Sequence, residues 1–317
     1  MRTYIVERRV GITRSPEFEK KGLATHGLNV GLKCSHGCLY CSTPSLLRNH
    51  RAFKMIGRTA FEPGFCIVDP GTPERVRRDA RKLTARDTVM LCTLTDGWAP
   101  EAREYGLGPR CMEILLEKSD CRVRVLTKNA AVKEDFDLMA RHAGRVALGL
   151  SISAPPSRAA AARVLEPFAS PVPARLYALL EGCQMGISTF GMLCPCLPGL
   201  ADEPEALEEM FDAVLAAGGE EIWLEPVNPR GPGLKRCEEA LGQAGFPAEA
   251  AAFKAVRARR GWNAYAARLV RTAQHVAERH GCLDRLHVLL YRAQFEPTAA
   301  ARLDRDSRGL VWLGKGT

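Results

Sequence analysis

The chain has 317 residues, 46% of them hydrophobic and 26% charged, with a formal net charge of +9. This is an ordinary globular composition, which excludes collagenous and highly charged disordered classes. No apolar run is long enough to span a bilayer, and the start Met1-Arg2-Thr3-Tyr4-Ile5-Val6 breaks off far short of a signal-peptide core, so a cytoplasmic protein with no membrane partner is expected. In a reducing compartment the twelve cysteines point to metal binding or catalysis where they cluster rather than to disulfides. The scattered ones (Cys66, Cys111, Cys121, Cys183, Cys237, Cys282) read as small buried hydrophobes.

In chain order, apolar runs predict strands at 27–32, 88–94, 122–127, 145–152, 186–194 and 220–227, with a weaker run at 286–291. Helix-like stretches fall between them at 72–84, 108–118, 132–141, 173–185 and 203–217. Thr72-Pro73-Glu74 puts a capping residue before a proline at the first helical position, and Asp202 with Glu205 forms a capping box. Strands joined by helical crossovers give a parallel sheet covered on both faces. Six such units predict an α/β fold, a partial or complete (β/α) barrel, with function on the loops after the strands. The segment 228–262, richer in Gly, Pro and charge, should wrap the side, followed by a long amphipathic helix over 262–279. The expected organisation is an N-terminal segment (1–26), a partial barrel (27–230) and a mainly helical C-terminal extension packed on it (231–317).

The densest chemical signal is Cys34-Ser-His-Gly-Cys38-Leu-Tyr40-Cys41, directly after the first predicted strand. Three thiolates spaced this way can wrap one metal centre. Held by three ligands, a four-iron cubane keeps one iron open for a substrate or cofactor. The alternative is a zinc ion recruiting His36, but no second Cys-x-x-Cys pair completes a zinc ribbon.

With Tyr40 before its last cysteine, this motif resembles that of the radical S-adenosylmethionine superfamily. Further segments narrow the likeness: Cys92-Thr-Leu-Thr95-Asp96-Gly-Trp98, Leu126-Thr127-Lys128-Asn129, Ser151-Ile-Ser153, Leu165-Glu166-Pro167 with Arg175, and Met192-Leu-Cys194-Pro-Cys196-Leu-Pro198-Gly199. Their order and spacing are similar to the spore photoproduct lyase-like (DNA repair photolyase-like) branch, over roughly residues 27–202. The resemblance implies a partial (β/α)6 barrel with a [4Fe–4S] cluster on Cys34, Cys38 and Cys41. It also implies S-adenosyl-L-methionine on the fourth iron and a flavodoxin, ferredoxin or reductase as electron donor. Tyr40, Thr95, Asp96, Lys128 and Ser151 would then line the cofactor site, with Lys128 on the methionine carboxylate. Where the family carries a hydrogen-donating cysteine this chain has Thr93. Cys92 lies one residue earlier, either a displaced donor or turned to the opposite face. Few residues precede Cys34, so thymine-dimer repair itself is not expected.

Cys194 and Cys196, at i and i+2 on an extended segment, should face the same way. They could serve as hydrogen donors, as ligands of an auxiliary cluster or as structure; with Cys92 they are the catalytic candidates. Two basic stretches, Arg75–Lys82 and Lys254–Arg260 with Trp262 and Tyr265, fit either a nucleic-acid track or solvated helix faces. Trp98 could stack on a base or pack in the core, and Glu225, Asn228 and Arg230 are positional candidates for polar lining. Three functions follow: a radical S-adenosylmethionine enzyme, lyase-like or oxidoreductase, acting on an unidentified substrate such as a nucleic-acid lesion; the same chemistry on a peptide or small metabolite; and a non-catalytic iron–sulfur, nucleic-acid-binding redox sensor.

Overall fold

Strands covered on both faces need near-continuous apolar runs, and the chain supplies them. The computed structural model describes residues 1–314. Its strands are β1 (Arg2–Ile5), β2 (Ile12–Arg14), β3 (His26–Leu28), β4 (Gly31–Lys33), β5 (Phe65–Val68), β6 (Thr88–Leu91), β7 (Arg122–Thr127), β8 (Val146–Ser151), β9 (Ser188–Cys196), β10 (Gly219–Pro226), β11 (Leu286–Tyr291) and β12 (Leu310–Leu313). Nine of them form one sheet in the order β12-β11-β10-β9-β8-β7-β6-β3-β2. Only the β2–β3 pair in that sheet is antiparallel. The fold is therefore mixed α/β around a large, mainly parallel sheet, with helices such as Leu107–Lys118, Val172–Gln184 and Pro204–Ala216 as crossovers.

Alternation along the strands sorts residues between two layers. On β7, Val123, Val125 and Thr127 are buried toward the helices, while Arg124 and Leu126 turn to the other face. That second face is concave. Gly27 of β3, Met90 of β6, Leu126 of β7, Met192 of β9 and Tyr291 of β11 all line one cavity there. The short helix Pro16–Lys21 packs against β12 across the remaining gap, where the Tyr291 hydroxyl donates to Glu17.

Three expectations need correction. The predicted strand at 27–32 is two strands in two sheets: β3 joins the large sheet, whereas β4 pairs antiparallel with β5 in a three-stranded sheet ordered β1-β5-β4. Asn29 Oδ1 accepts from Leu94 N (2.7 Å) and Thr95 N (3.2 Å), so the chain leaves the first sheet at that point. Gly31 then lets the backbones close in, since a Cβ there would lie 2.1 Å from the Ile67 carbonyl oxygen. Second, residue 230 is not a boundary of the sheet: β11 and β12 extend it, and β2 adds to its far end. Third, the stretch 132–141 is a 3-10 turn, Ala130–Asp135, followed by a short α-helix, Phe136–Arg141. Beyond 230 the helices are Gly233–Gln243, Pro247–Ala255 and the long Arg259–Arg279. Among the described residues no helix is long and apolar enough to cross a membrane.

Candidate metal centre

β4 delivers the chain directly into the cysteine loop, which three other segments clamp. Ser35 N donates to Glu101 Oε1 (2.9 Å), Leu39 N to the Leu165 carbonyl (2.9 Å), and Phe168 N to the His36 carbonyl (3.2 Å). Gly37 turns the loop at φ +66°, with the Phe168 ring 3.1 Å from where a Cβ would stand, so both backbone and space require glycine there. Cys34, Cys38 and Cys41 all line one cavity of about 240 Å³.

The donor set is one of metal-ligating type. Burial and the neighbouring thiols Cys41 and Cys38 push the Cys34 thiol well above its usual range. Burial, with Glu166 nearby, pushes Cys38 up to about 12. Binding a metal there would require these thiols to give up their protons. Tetrahedral zinc at ~2.3 Å from sulfur would hold its ligand sulfurs roughly 3.8 Å apart. The three thiols do not all lie within 4.8 Å of one another; among the described residues the group that meets that limit is Glu208, Asp212 and His280, where Arg279 already neutralises Glu208. His36 is buried with Nδ1 3.6 Å from Asp96 Oδ2, committed toward a carboxylate.

Beside the loop lies a buried carboxylate that the sequence reading quoted without assigning a role. Glu166 Oε1 accepts from the Tyr40 hydroxyl, from Lys128 Nζ (2.9 Å) and from Ser153 Oγ (2.7 Å), while Glu166 Oε2 accepts from Arg175. Arg175, fully buried, also donates to the carbonyls of Ser151 (2.6 Å) and Ser170 (2.7 Å). Burial alone would raise the Glu166 carboxyl, but Arg175, Lys128 and the Tyr40 hydrogen bond outweigh it and hold the group well below the usual carboxylate range. A depressed native pKa adds stability above the unfolded value, about 4.3, and loses it as pH falls toward the native one. The stability gap between wild type and Glu166→Gln should thus stay constant from pH 7 to about 4.3 and narrow below it, as read by urea titrations across pH.

The expected cofactor residues gather around this hub, but their polar atoms are engaged within the protein. Lys128 is ion-paired to Glu166 rather than free. Asp96 accepts from Thr127 Oγ1 (2.8 and 2.9 Å), Lys128 N (2.8 Å) and Trp98 N (2.9 Å). Thr95 Oγ1 accepts from Val30 N (3.3 Å), and Ser151 is tied through its carbonyl to Arg175. Trp98 packs in the core, with Nε1 on Asp135 (2.7 Å).

A second cavity of about 590 Å³ occupies the concave mouth of the large sheet and touches Tyr40 and Cys41. Glu225, Asn228 and Arg230 line it, as does Cys194, whose thiol lies 3.5 Å from Glu225 Oε2. The two other catalytic candidates do not. Cys92, just past the end of β6 with a left-handed backbone (φ +70°), is buried in the helix-side core against Gly97, while Thr93 lines the cavity. Cys196 is also in the core, its thiol on the Leu193 carbonyl (3.4 Å). The shared orientation expected for Cys194 and Cys196 fails because pairing shifts from Leu193↔Leu224 to Cys196↔Pro226, which inserts one extra residue on β9. The basic stretches are likewise spoken for in part. Arg75 pairs with buried Asp69 and Arg257 with Glu238 (2.8 Å). Trp262 and Tyr265 are buried, bonded to Val227, so neither offers a stacking face.

No family model matches the chain. It is 24% identical over 221 residues to an uncharacterized protein of Acidianus two-tailed virus, covering 68% of this chain and 71% of the viral protein. It is 27% identical over 201 residues to an uncharacterized protein of Mycobacterium tuberculosis (strain H37Rv) and to one of Mycobacterium bovis, covering 62% of this chain. The match spans 57% of the length of those mycobacterial proteins.

Proposed function

We propose that the protein is a radical S-adenosylmethionine enzyme of the spore photoproduct lyase-like branch, its curled sheet serving as an open (β/α) barrel. The observation that carries this reading is that Cys34, Cys38 and Cys41 line one cavity beside a larger, substrate-sized one, near the ends of β4, β6 and β7. Three cysteines would hold a [4Fe–4S] cluster with one iron free of protein ligands. The chemistry supplied when cluster and S-adenosyl-L-methionine are bound is one-electron cleavage to a 5′-deoxyadenosyl radical and hydrogen abstraction from a substrate.

The chain's own residues supply the setting. Glu101, Leu165 and Phe168 fix the ligand loop, and Asp96 locks the ends of β6 and β7 beside it. Two buried cations, Lys128 and Arg175, share one carboxylate, Glu166, which leaves a positive excess next to Cys38. That excess favours an anionic cluster and the carboxylate of the cofactor. Cys194, facing the cavity with Glu225, is the thiol placed to return a hydrogen atom to a product radical; Cys92 and Cys196, in the core, are structural. A cytoplasmic setting and a flavodoxin, ferredoxin or reductase as electron donor belong to the same reading, and free thiols at all twelve cysteines suit it. Anaerobic reconstitution with iron and sulfide, followed by assay for dithionite-dependent 5′-deoxyadenosine, is the test. Brown protein that forms this product bears the proposal out, and colourless protein carrying zinc ends it.

A further inference from the structure

Lys21 ends the short helix Pro16–Lys21, and its side chain is only 9% exposed. Lysines are almost never so buried unless paired. The carboxylate facing it, Glu17 Oε1, lies 3.5 Å from Nζ, is itself half exposed, and already accepts the Tyr291 hydroxyl at 2.5 Å. Among the described residues the Lys21 ammonium donates no hydrogen bond of ordinary geometry; its other neighbours are the rings of Tyr291 (5.6 Å) and Phe18 (5.9 Å). Those ring faces hold a cation without using its N–H donors. Lys21 lines the 590 Å³ cavity.

The wall around Lys21 carries charges of both signs. Arg230 stands 6.0 Å from the same Tyr291 ring, and Arg14, paired with Glu19, also lines the cavity. Glu225, whose carboxylate meets the Cys194 thiol, lines the same cavity. The anionic end of a ligand entering this space is drawn to Lys21 and Arg230.

We infer that Lys21 anchors an oxyanion, a phosphate or a carboxylate, of the molecule that fills this cavity. The inference rests on the cavity being the substrate chamber of the proposed enzyme, and it narrows the substrate to one bearing such a group. An ammonium with free donors makes charge-assisted bonds to either oxyanion, and burial strengthens them.

The test uses the full-length protein with inorganic phosphate and acetate as probes, read by line broadening of their ³¹P and ¹³C resonances. Wild type should give saturable broadening with one or both probes; which of them saturates distinguishes a phosphate from a carboxylate ligand. Lys21→Met should weaken that binding by about tenfold or more. Lys235→Met, at an exposed helix position paired with Glu239, should leave it unchanged. Methionine keeps the length of the stem and removes an ammonium without hydrogen bonds, so the variant should fold; its thermal midpoint checks this. Broadening that does not saturate in wild type, or equal affinity in folded Lys21→Met, overturns the inference. Cluster content and 5′-deoxyadenosine formation are measured on the same wild-type preparation. Their loss would remove the enzyme reading while anion binding still decides the role of Lys21.

Discussion

Serine at any one of positions 34, 38 or 41 is expected to abolish the four-iron centre, lowering bound iron from about four per chain to below about one and removing all reductive cleavage of S-adenosylmethionine. The three thiols share one cavity, and no fourth cysteine among the described residues lines it. Cys194 lines the larger cavity and not this one. Colour, iron and sulfide content and the electron paramagnetic spectrum of the reduced protein check this. Full cluster loading in the Cys38→Ser variant would show that the loop is not the ligand set.

Glu166→Ala is expected to be the most destabilising single change outside the apolar core, by about 3–5 kcal/mol. It leaves Arg175 and Lys128 buried without a counter-charge, and it frees Tyr40 and Ser153 from their common acceptor. The tyrosine is one residue from Cys41, so cluster loading should fall with stability. Glu166→Leu combined with Arg175→Met should recover part of the loss, because it removes the buried Arg175 charge while Lys128, Tyr40 and Ser153 still lack their acceptor. Denaturant unfolding of the single and double variants reads this directly. A double variant no more stable than Glu166→Ala would place the stabilisation elsewhere.

What the sequence made legible follows from periodicity and spacing. Long parallel strands such as β7 and β9 announce themselves as apolar runs, and the cysteine triplet is a local pattern that needs no fold to be seen. Strands of three or four residues, β1, β2, β5 and β12, are too short to show a period. The break between β3 and β4 depends on Asn29 reaching Leu94 and Thr95, contacts about 65 residues away in sequence, which no local window contains. Glu166 was quoted within a motif, yet nothing near it in the chain reveals that Lys128, Arg175 and Tyr40 converge on it. For Cys92 the sequence leaves both orientations open, and the left-handed backbone just past β6 that decides between them has no local signal. Alternation along a strand misplaces Cys196, because an inserted residue on β9 resets the count.

The short helix that bridges the open side of the large sheet has a consequence for how the molecule behaves in a crowd. A sheet that stops before closing leaves two outer strands with unsatisfied backbone groups, a template on which a neighbouring chain could add its own strand. Laid beside β12 and fastened by Glu17 to Tyr291, residues 16–21 shield that margin with a segment whose own amides are already satisfied. Six residues of helix thus guard solubility at the seam while their last side chain, Lys21, looks inward.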